Sequence, residues 1–453
     1  MFKDKRITVI GFGIEGTALA IYLASKGALV TISDAKSEGS LTDNIQKVQG
    51  LSVRLSLGAN RVDDVIGADM VFVSQGVPLD IPAVTAARER GIPMNSLTNL
   101  FMETCPGTVV GITGSAGKST ATALMGEVLK ASGKQTFVGG NIGTPLLGYL
   151  DEMNRDSWVS LEISHTQLEI IEKSPHVATV TNIAPSHADR YPNLDDYISL
   201  KKKIFRFQTG EDFLILNFDD PVTRGMARES TGKVLFFSRS NAISGDGSYL
   251  DQDNIVIRHL GREDEVLPVE AVQLRGTHNL ENVLAVCAMA AVCGIDKVDV
   301  ARVVSEFGGI GHRLELVRVV GGVAYYNDSI ATSPQRALAG LRSFDEPVVL
   351  IAGGRDKHLP LEELAGEVAE RCRGIVLYGE AAELLKDAFA ATGVDASCIT
   401  TVQSFDNTVA AAQRLARPGD VVLLSPACTS FDTFQNFEER GARFRDLVKE
   451  IQG

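Results

Sequence analysis

The chain has 453 residues, 44% of them hydrophobic, and a formal net charge of −13. That length supports two to four domains with cores of their own, and the acidic balance argues against nucleic acid as a main partner, which would need a basic surface. The cysteines at 105, 287, 293, 372, 398 and 428 show neither CxxC pairing nor metal-ligand spacing, so reduced thiols in a cytoplasmic protein are expected.

In chain order, "MFKDKRITVIGFG" runs straight into a strand pattern, so no signal peptide is expected. "VIGFGIEG" then supplies Gly11, Gly13 and Gly16, and Asp34 ends the next strand at "VTISDA". This fits the dinucleotide fingerprint. On the residues alone three readings stand open: a structural turn, an NAD site, or a site for another nucleotide. A boundary is expected at "METCPGTV", where Pro106 and Gly107 interrupt the pattern.

The stretch "TVVGITGSAGKSTATALMGEVLK" places Gly114, Gly117, Lys118 and Ser119 between a strand and a helix. Small residues let backbone N–H groups face phosphate oxygens, the helix N-terminus adds positive potential, Lys118 reaches the β/γ-phosphates, and the Ser119 hydroxyl can ligate Mg²⁺. Ile112 occupies the place of the first glycine in the strict Walker spacing. The plain alternative is a tight strand–helix turn with an exposed lysine.

Further on, Glu162 ends "SWVSLEIS" and His187 follows "VATVTNIAP". Each can be an ordinary polar residue at a strand end; a carboxylate beside a phosphate loop can also hold Mg²⁺. Read as a helix, 197–207 puts Tyr197, Leu200, Ile204, Phe205 and Phe207 on one side with Lys201, and turns Lys202, Lys203 and Arg206 the other way. An inward lysine is costly unless it is paired or modified, or snorkels to a buried edge. Residues 239–275 break the α/β alternation and read as short strands with turns, an antiparallel flap. "LAVCAMAAVCG" is too short to span a bilayer, which needs about 20 residues, so no membrane insertion is expected. Gly308, Gly309 and Gly311 mark a hinge. The runs "PVVLIAGG", "GIVLYGE" and "DVVLLSPA" beyond it are apolar on both sides, as strands buried on both faces are. The fold expected is α/β in three domains: an N-terminal Rossmann-like domain (1–107), a central P-loop ATPase-type parallel-sheet domain (108–311) and a C-terminal Rossmann-like domain (312–453).

The loop "TGSAGKST", with "GGNIGTP", "LEISHTQLE", "HADRYPNLDDYISLKKKIF", "GTHNLENVLA", "GHRLE", "YYNDSIATSP" and "LLSPACTSFDTFQNFEERG", resembles the Mur ligase family over nearly the whole chain, and the last stretch resembles its D-glutamate-adding branch. The resemblance implies a monomeric ligase that uses ATP and Mg²⁺ to add D-glutamate to UDP-N-acetylmuramoyl-L-alanine (UDP-MurNAc-L-Ala) through an acyl phosphate. It resolves the two glycine loops: the first holds the UDP part of the substrate, the second ATP.

Carried over residue by residue, the resemblance implies catalytic roles for Lys118, Glu162, His187 and Lys201. It implies ATP contacts from Gly114, Ser115, Ala116, Gly117, Lys118, Ser119, Thr120, Asn282, Arg313 and Asp328. The UDP-substrate contacts are Gly13, Ile14, Glu15, Asp34, Ala35, Ser74, Gly76 and Asn141, and the D-glutamate contacts Thr332, Lys357, Ser430, Phe431 and Phe437. Mg²⁺ falls to Ser119, Glu162, His187 and a carbamylated Lys201. For Phe431 and Phe437 the plain reading is core aromatics. The chain departs from the family pattern at Ala116, His165, Pro185, Ser186 and Ile330. Another Mur-type amino-acid ligase, a folylpolyglutamate synthase-like ligase, an NAD-dependent oxidoreductase and a non-catalytic nucleotide-binding module are the alternatives; the glycine fingerprint at the start of the chain speaks against the second.

Overall fold

The structure, a computed structural model, describes residues 2–185, 190–191 and 193–452. It is built on three sheets. The first is all-parallel, in the order Val53–Leu57, Leu29–Asp34, Arg6–Ile10, Met70–Val73, Met94–Asn95. Ile7, Val9, Ile32 and Phe72 are at most 1% exposed, as strands covered on both faces require. The first glycine turn joins Arg6–Ile10 to the helix Ile14–Ser25.

The central sheet runs Arg262–Pro268, Asn254–His259, Gly247–Asp251, Lys233–Ser238, Phe213–Asn217, Val177–Val180, Thr108–Thr113, Trp158–Glu162, Thr136–Gly140. Its first two junctions are antiparallel and the rest parallel. The flap expected over 239–275 is therefore an extension of this sheet's edge. Its outer hairpin turns on Leu260 (φ 51°) and Gly261 (φ 74°), the paired positive angles that a two-residue turn needs to match strand twist. The first two sheets share one apolar core: Leu100, Phe101 and Met102 belong to the same buried cluster as Leu146, Leu147 and Met153.

The third sheet runs Glu315–Val320, Val323–Asn327, Val421–Ala427, Val348–Gly353, Cys372–Tyr378, Ile399–Thr401, parallel except for its first pair. Leu338, Leu364 and Leu385 from three helices pack with one set of its strand residues, and Val409 and Phe444 from two others with the second set. The loops after Asn327, Gly353 and Ala427 thus leave the carboxyl ends of neighbouring strands where the chain order reverses, the crevice in which doubly wound sheets take ligands. By contact density the chain forms two compact units, Met1–Ala271 with Leu280–Ser305, and Val272–Asn279 with Glu306–Gly453. Among the described residues no helix is long and apolar enough to cross a membrane.

One local expectation fails. The helix begun before Tyr197 runs Leu194–Lys202 and then gives way to turns instead of continuing to 207. Tyr197, Leu200, Lys201, Ile204 and Phe205 are buried as the helical spacing requires, but Phe207 is 44% exposed. Gln208 turns inward in its stead, donating to the Pro175 and Phe213 carbonyls, and its polar pairing fixes the direction of the turn.

Candidate active site

The phosphate-type loop lies between the strand Thr108–Thr113 and the helix Lys118–Ala131. Gly114 has φ 150°, and a Cβ there would come within 1.9 Å of Thr181 Oγ1; Gly117 has φ 81°, and a Cβ there would come within 2.1 Å of Asn282 Oδ1. Only glycine fits either position. The neighbouring strand end braces the loop. Ala116 N donates to Asn182 Oδ1 at 2.9 Å, Ser115 N to the Asn182 carbonyl at 2.9 Å, and Thr181 Oγ1 to the Ala116 carbonyl at 2.6 Å. Lys118 Nζ lies 3.1 Å and 3.0 Å from the Gly114 and Ser115 carbonyls, folded over the loop it serves. Ser119 and Thr120 follow in the first helical turn. The loop is a preformed nest of amides at a helix N-terminus, built for an anion.

Behind it lie two buried ionisable groups. Lys201 is 1% exposed, with Nζ 3.0 Å from Thr113 Oγ1. Burial, then the Lys118 charge, push its pKa down to about 7, partly opposed by Glu162. A large fraction of the amine is therefore neutral, and so nucleophilic, at physiological pH. Glu162 is 1% exposed; Oε1 accepts from Asn141 Nδ2 at 2.8 Å, while Oε2 is buried with no hydrogen-bond partner among the described residues. An orphaned carboxylate oxygen beside a phosphate loop suits a hard cation. The described residues contain no group of three His, Cys, Asp or Glu able to hold a metal; of the residues expected at a cation, Ser119, Glu162 and Lys201 are the described ones. His187, and Ser186 beside it, lie outside the described residues.

In the first sheet, Gly16 packs against the glycine turn: a Cβ there would come within 1.8 Å of the Gly11 carbonyl, whereas one on Gly13 would meet nothing within 4 Å. The open side is where a ligand's backbone approach is possible. Ser74 Oγ donates to the Gly11 carbonyl at 3.0 Å, and Asp34 accepts from Phe12 N (2.6 Å) and Lys36 N (2.7 Å), so both residues shape the turn. Ile14 is 71% exposed, and Ala35 and Gly76 are exposed beside it. Glu15, placed among the UDP contacts by resemblance, is buried and accepts from Gln75 N (2.9 Å) and Gln167 Nε2 (3.1 Å); burial, partly offset by these bonds, holds its carboxyl above the usual range.

In the second unit, Lys357 Nζ lies 3.4 Å from Thr332 Oγ1. Ser430 is buried and Phe431 is 61% exposed, which overturns the core-aromatic reading for Phe431. Phe437 is half-buried, edge-on to His312 at 6.2 Å, and its carbonyl accepts from Ser329 Oγ. Asp328, 4% exposed, accepts from Ser425 Oγ (2.8 Å) and Leu314 N (3.3 Å), and burial raises its pKa to about 7. Arg313 is close enough to lower that value slightly. His312, Leu314, His358 and Ala427 all have positive φ, backbone strain gathered around these loops as it gathers at ligand sites.

Three family models match the chain: "Mur ligase MurD-like, N-terminal domain" over 5–96, "Mur ligase middle domain" over 112–290 and "Mur ligase, glutamate ligase domain" over 312–428. A UDP-N-acetylmuramoylalanine–D-glutamate ligase of Symbiobacterium thermophilum is 41% identical over 449 residues, covering 99% of this chain and 98% of the relative. The chain belongs to the Mur ligase family. Relatives of the same description from Acetivibrio thermocellus (41%, covering 99% of this chain and 97% of the relative) and Clostridium novyi (40%, 99% and 97%) are similar to this Mur ligase over the same span. Two solved structures share its fold: the UDP-N-acetylmuramate-alanine ligase MurC of Thermotoga maritima (TM-score 0.57, 20% identity, covering 98% of this chain and 99% of that one) and a pseudomurein peptide ligase type C of Methanothermus fervidus (0.54, 16%, 99% and 100%).

Sequence reasoning about this Mur ligase missed Thr113, Thr181, Asn182 and Gln167. Thr113 ends the strand before the loop and Asn182 follows the neighbouring one, so a search for polar residues at strand ends around the loop would have found those two. Gln167 carried one readable signal: with Ser164 it forms a capping box, S-x-x-Q in "ISHTQLE".

Proposed function

We propose that this Mur ligase joins D-glutamate to UDP-N-acetylmuramoyl-L-alanine at the expense of ATP, a step in making peptidoglycan precursors. The carrying observation is its 41% identity, over 99% of its length, to a ligase described by that reaction. A carboxylate is a poor electrophile. Phosphorylating it gives an acyl phosphate, the amine of D-glutamate attacks the carbonyl carbon, and phosphate departs. The protein's work is to position three reactants and offset phosphate charge.

The braced loop supports the ATP part of the reading: amides of residues 114–117 and Lys118 would hold the phosphates, Ser119 and Thr120 the mouth of the helix, with Asn282, Arg313 and Asp328 as further ATP contacts. Mg²⁺, when bound, neutralises phosphate charge; Ser119, Glu162, His187 and a carbamate on Lys201 would hold it, and the orphaned Glu162 Oε2 fits that role. The lowered pKa of Lys201 supports the carbamate, because only the neutral amine adds to CO₂. The open glycine turn at Gly13 and Ile14, shaped by Asp34 and Ser74, would hold UDP beside Ala35 and Gly76, and Asn141 the rest of that substrate. Thr332, Lys357, Ser430, Phe431 and Phe437 would receive D-glutamate. We place the domain divisions near 107 and 311, and we take the chain to act as a cytoplasmic monomer.

The test is one assay: protein, Mg–ATP and UDP-MurNAc-L-Ala, with phosphate release scored for D-glutamate, L-glutamate and no amino acid. Release that depends on D-glutamate is expected. Equal release in all three mixtures, or none in any, would remove the reading.

A further inference from the structure

The resemblance puts Glu15 against the nucleotide, but its carboxylate is engaged elsewhere. It sits in the first turn of the helix Ile14–Ser25, at the end where an anionic diphosphate would gain most from the helix dipole and a second negative charge would oppose it. The side chain is buried and leads out of the first sheet: Gln75 N donates to Oε2 at 2.9 Å and Gln167 Nε2 to Oε1 at 3.1 Å.

Both donors belong to a closed polar ring. Gln167 Oε1 accepts from Ser164 N at 3.0 Å, and Gln167 N donates to Ser164 Oγ at 3.2 Å. Ser164 Oγ is in turn 3.3 Å from Gln75 Oε1. Gln75 adjoins Ser74, whose hydroxyl holds the Gly11 carbonyl of the glycine turn. Ser164 stands two residues beyond Glu162, and the Ile163 carbonyl between them accepts from Thr113 Oγ1 at 2.7 Å, the same hydroxyl that Lys201 contacts. Hydrogen bonds and two short covalent steps, Ser74–Gln75 and Glu162–Ser164, therefore connect the glycine turn of the first sheet to the strand end carrying Glu162, inside a single compact unit.

We infer that the Glu15 side chain has a positioning role: its carboxylate locks the glycine turn of the first sheet to the strand end presenting Glu162 and does not contact the nucleotide. Two donors fill the carboxylate, and a ring of mutually satisfied polar groups gives a defined geometry that apolar packing would not impose. The inference rests on the proposed ligase reading only for what the positioning is for.

Two measurements test it on the full chain. In hydrogen exchange, UDP alone is the probe. UDP should slow exchange across 163–168 in the wild type, and this effect should be lost in Glu15→Ala and Glu15→Gln while the Kd for UDP stays within twofold. An absence of protection at 163–168 in the wild type, or a tenfold weaker Kd in either variant, would overturn the inference, whichever amino acid the enzyme accepts. In the ligase assay, Glu15→Ala and Gln167→Ala should each lower kcat about tenfold, with the double variant within twofold of the worse single one. Multiplying losses would overturn it as well. If Glu15→Ala does not fold, Glu15→Gln takes its place in the cycle. A wild type that shows the exchange effect but releases no phosphate would remove the ligase reading and leave the inference standing.

Discussion

The Lys201 ammonium nitrogen lies 3.0 Å from Thr113 Oγ1, at the end of the strand that leads into the phosphate loop, and its side chain is sealed from solvent. Burial and the neighbouring Lys118 charge bring its pKa from 10.5 down to about 7. In the unfolded chain the amine keeps its proton up to about 10.5, so between 7 and 10.5 the unfolded state binds more protons and stability rises with pH. Below 7 the cost of burying the charge is complete. Lys201→Met, melted in bicarbonate-free buffer, should therefore be stabilised most at pH 6, by up to about 5 kcal/mol at about 1.4 kcal/mol per pKa unit, and by less than half of that at pH 9. A gain that does not change with pH would show that the folded amine keeps its ordinary pKa.

The same lysine gives a chemical prediction. If its carbamate helps to hold the cation, Lys201→Ala should lose ~100-fold or more in kcat, and a short carboxylate such as acetate or formate at high concentration should restore part of it. Lys201→Arg, which cannot form the carbamate and fills the space, should not respond. Failure of every small carboxylate to restore activity to Lys201→Ala would count against a carbamate.

Gly117 allows a paired test of the phosphate loop. Its φ of 81° and the approach of Asn282 Oδ1 to 2.1 Å from a would-be Cβ make Gly117→Ala strained and crowded at once. Gly133 has nearly the same φ, 79°, but a Cβ there meets nothing within 4 Å. Gly133→Ala should cost only the left-handed backbone penalty, about 1–2 kcal/mol. Gly117→Ala should cost more and weaken ATP binding at least tenfold, read by calorimetric titration. Equal melting temperatures and ATP affinities for the two variants would mean the loop accommodates the methyl group and is not preformed.

Much of this site was legible because its chemistry is local. The strand–glycine–lysine–helix order fixes where amides converge, and the helical spacing around Tyr197, Leu200 and Ile204 alone points Lys201 inward. The reading failed at Phe207, where the helix had already ended and a buried glutamine, answering two backbone carbonyls, decided the turn. It could not reach the Thr181–Ala116 or Glu15–Gln167 bonds, since these pair residues 65 and 152 positions apart that only the folded sheets bring together. Phe431 was ambiguous for a related reason: an aromatic in a loop reads as core until its exposure is known.

Asp328 makes the opposite titration argument from Lys201. Its folded pKa of about 7 lies above the ordinary 3.8, so the folded state holds a proton that the unfolded state releases. That contribution is present in full below 3.8 and is lost as pH rises through 7. Asp328→Asn removes the titrating group while keeping one acceptor oxygen for Ser425 or Leu314. Its stability relative to wild type should climb by about 2–3 kcal/mol between pH 5 and pH 8, after any fixed loss from a missing hydrogen bond. Circular dichroism melts at the two pH values decide it: parallel curves would mean Asp328 is ionised in the fold throughout.

Lys357 bears on the choice of amino acid. Its ammonium is 3.4 Å from Thr332 Oγ1, and the two sit on the loops after Gly353 and Asn327, flanking the crevice where strand order reverses. A dicarboxylic amino acid brings a side-chain carboxylate that a cation and a hydroxyl can share, and a charge-assisted bond of this kind is worth about 1.5–3 kcal/mol. Lys357→Ala should raise the KM for D-glutamate ~10- to 100-fold and leave the KM for ATP within threefold, because the phosphate loop belongs to a different sheet. Thr332→Ala should do the same more weakly. Lys357→Arg should fall between wild type and alanine, since the guanidinium keeps the charge but not the compact geometry. A rise in the KM for ATP equal to that for D-glutamate would instead make Lys357 a phosphate contact and move the amino-acid site elsewhere in the crevice.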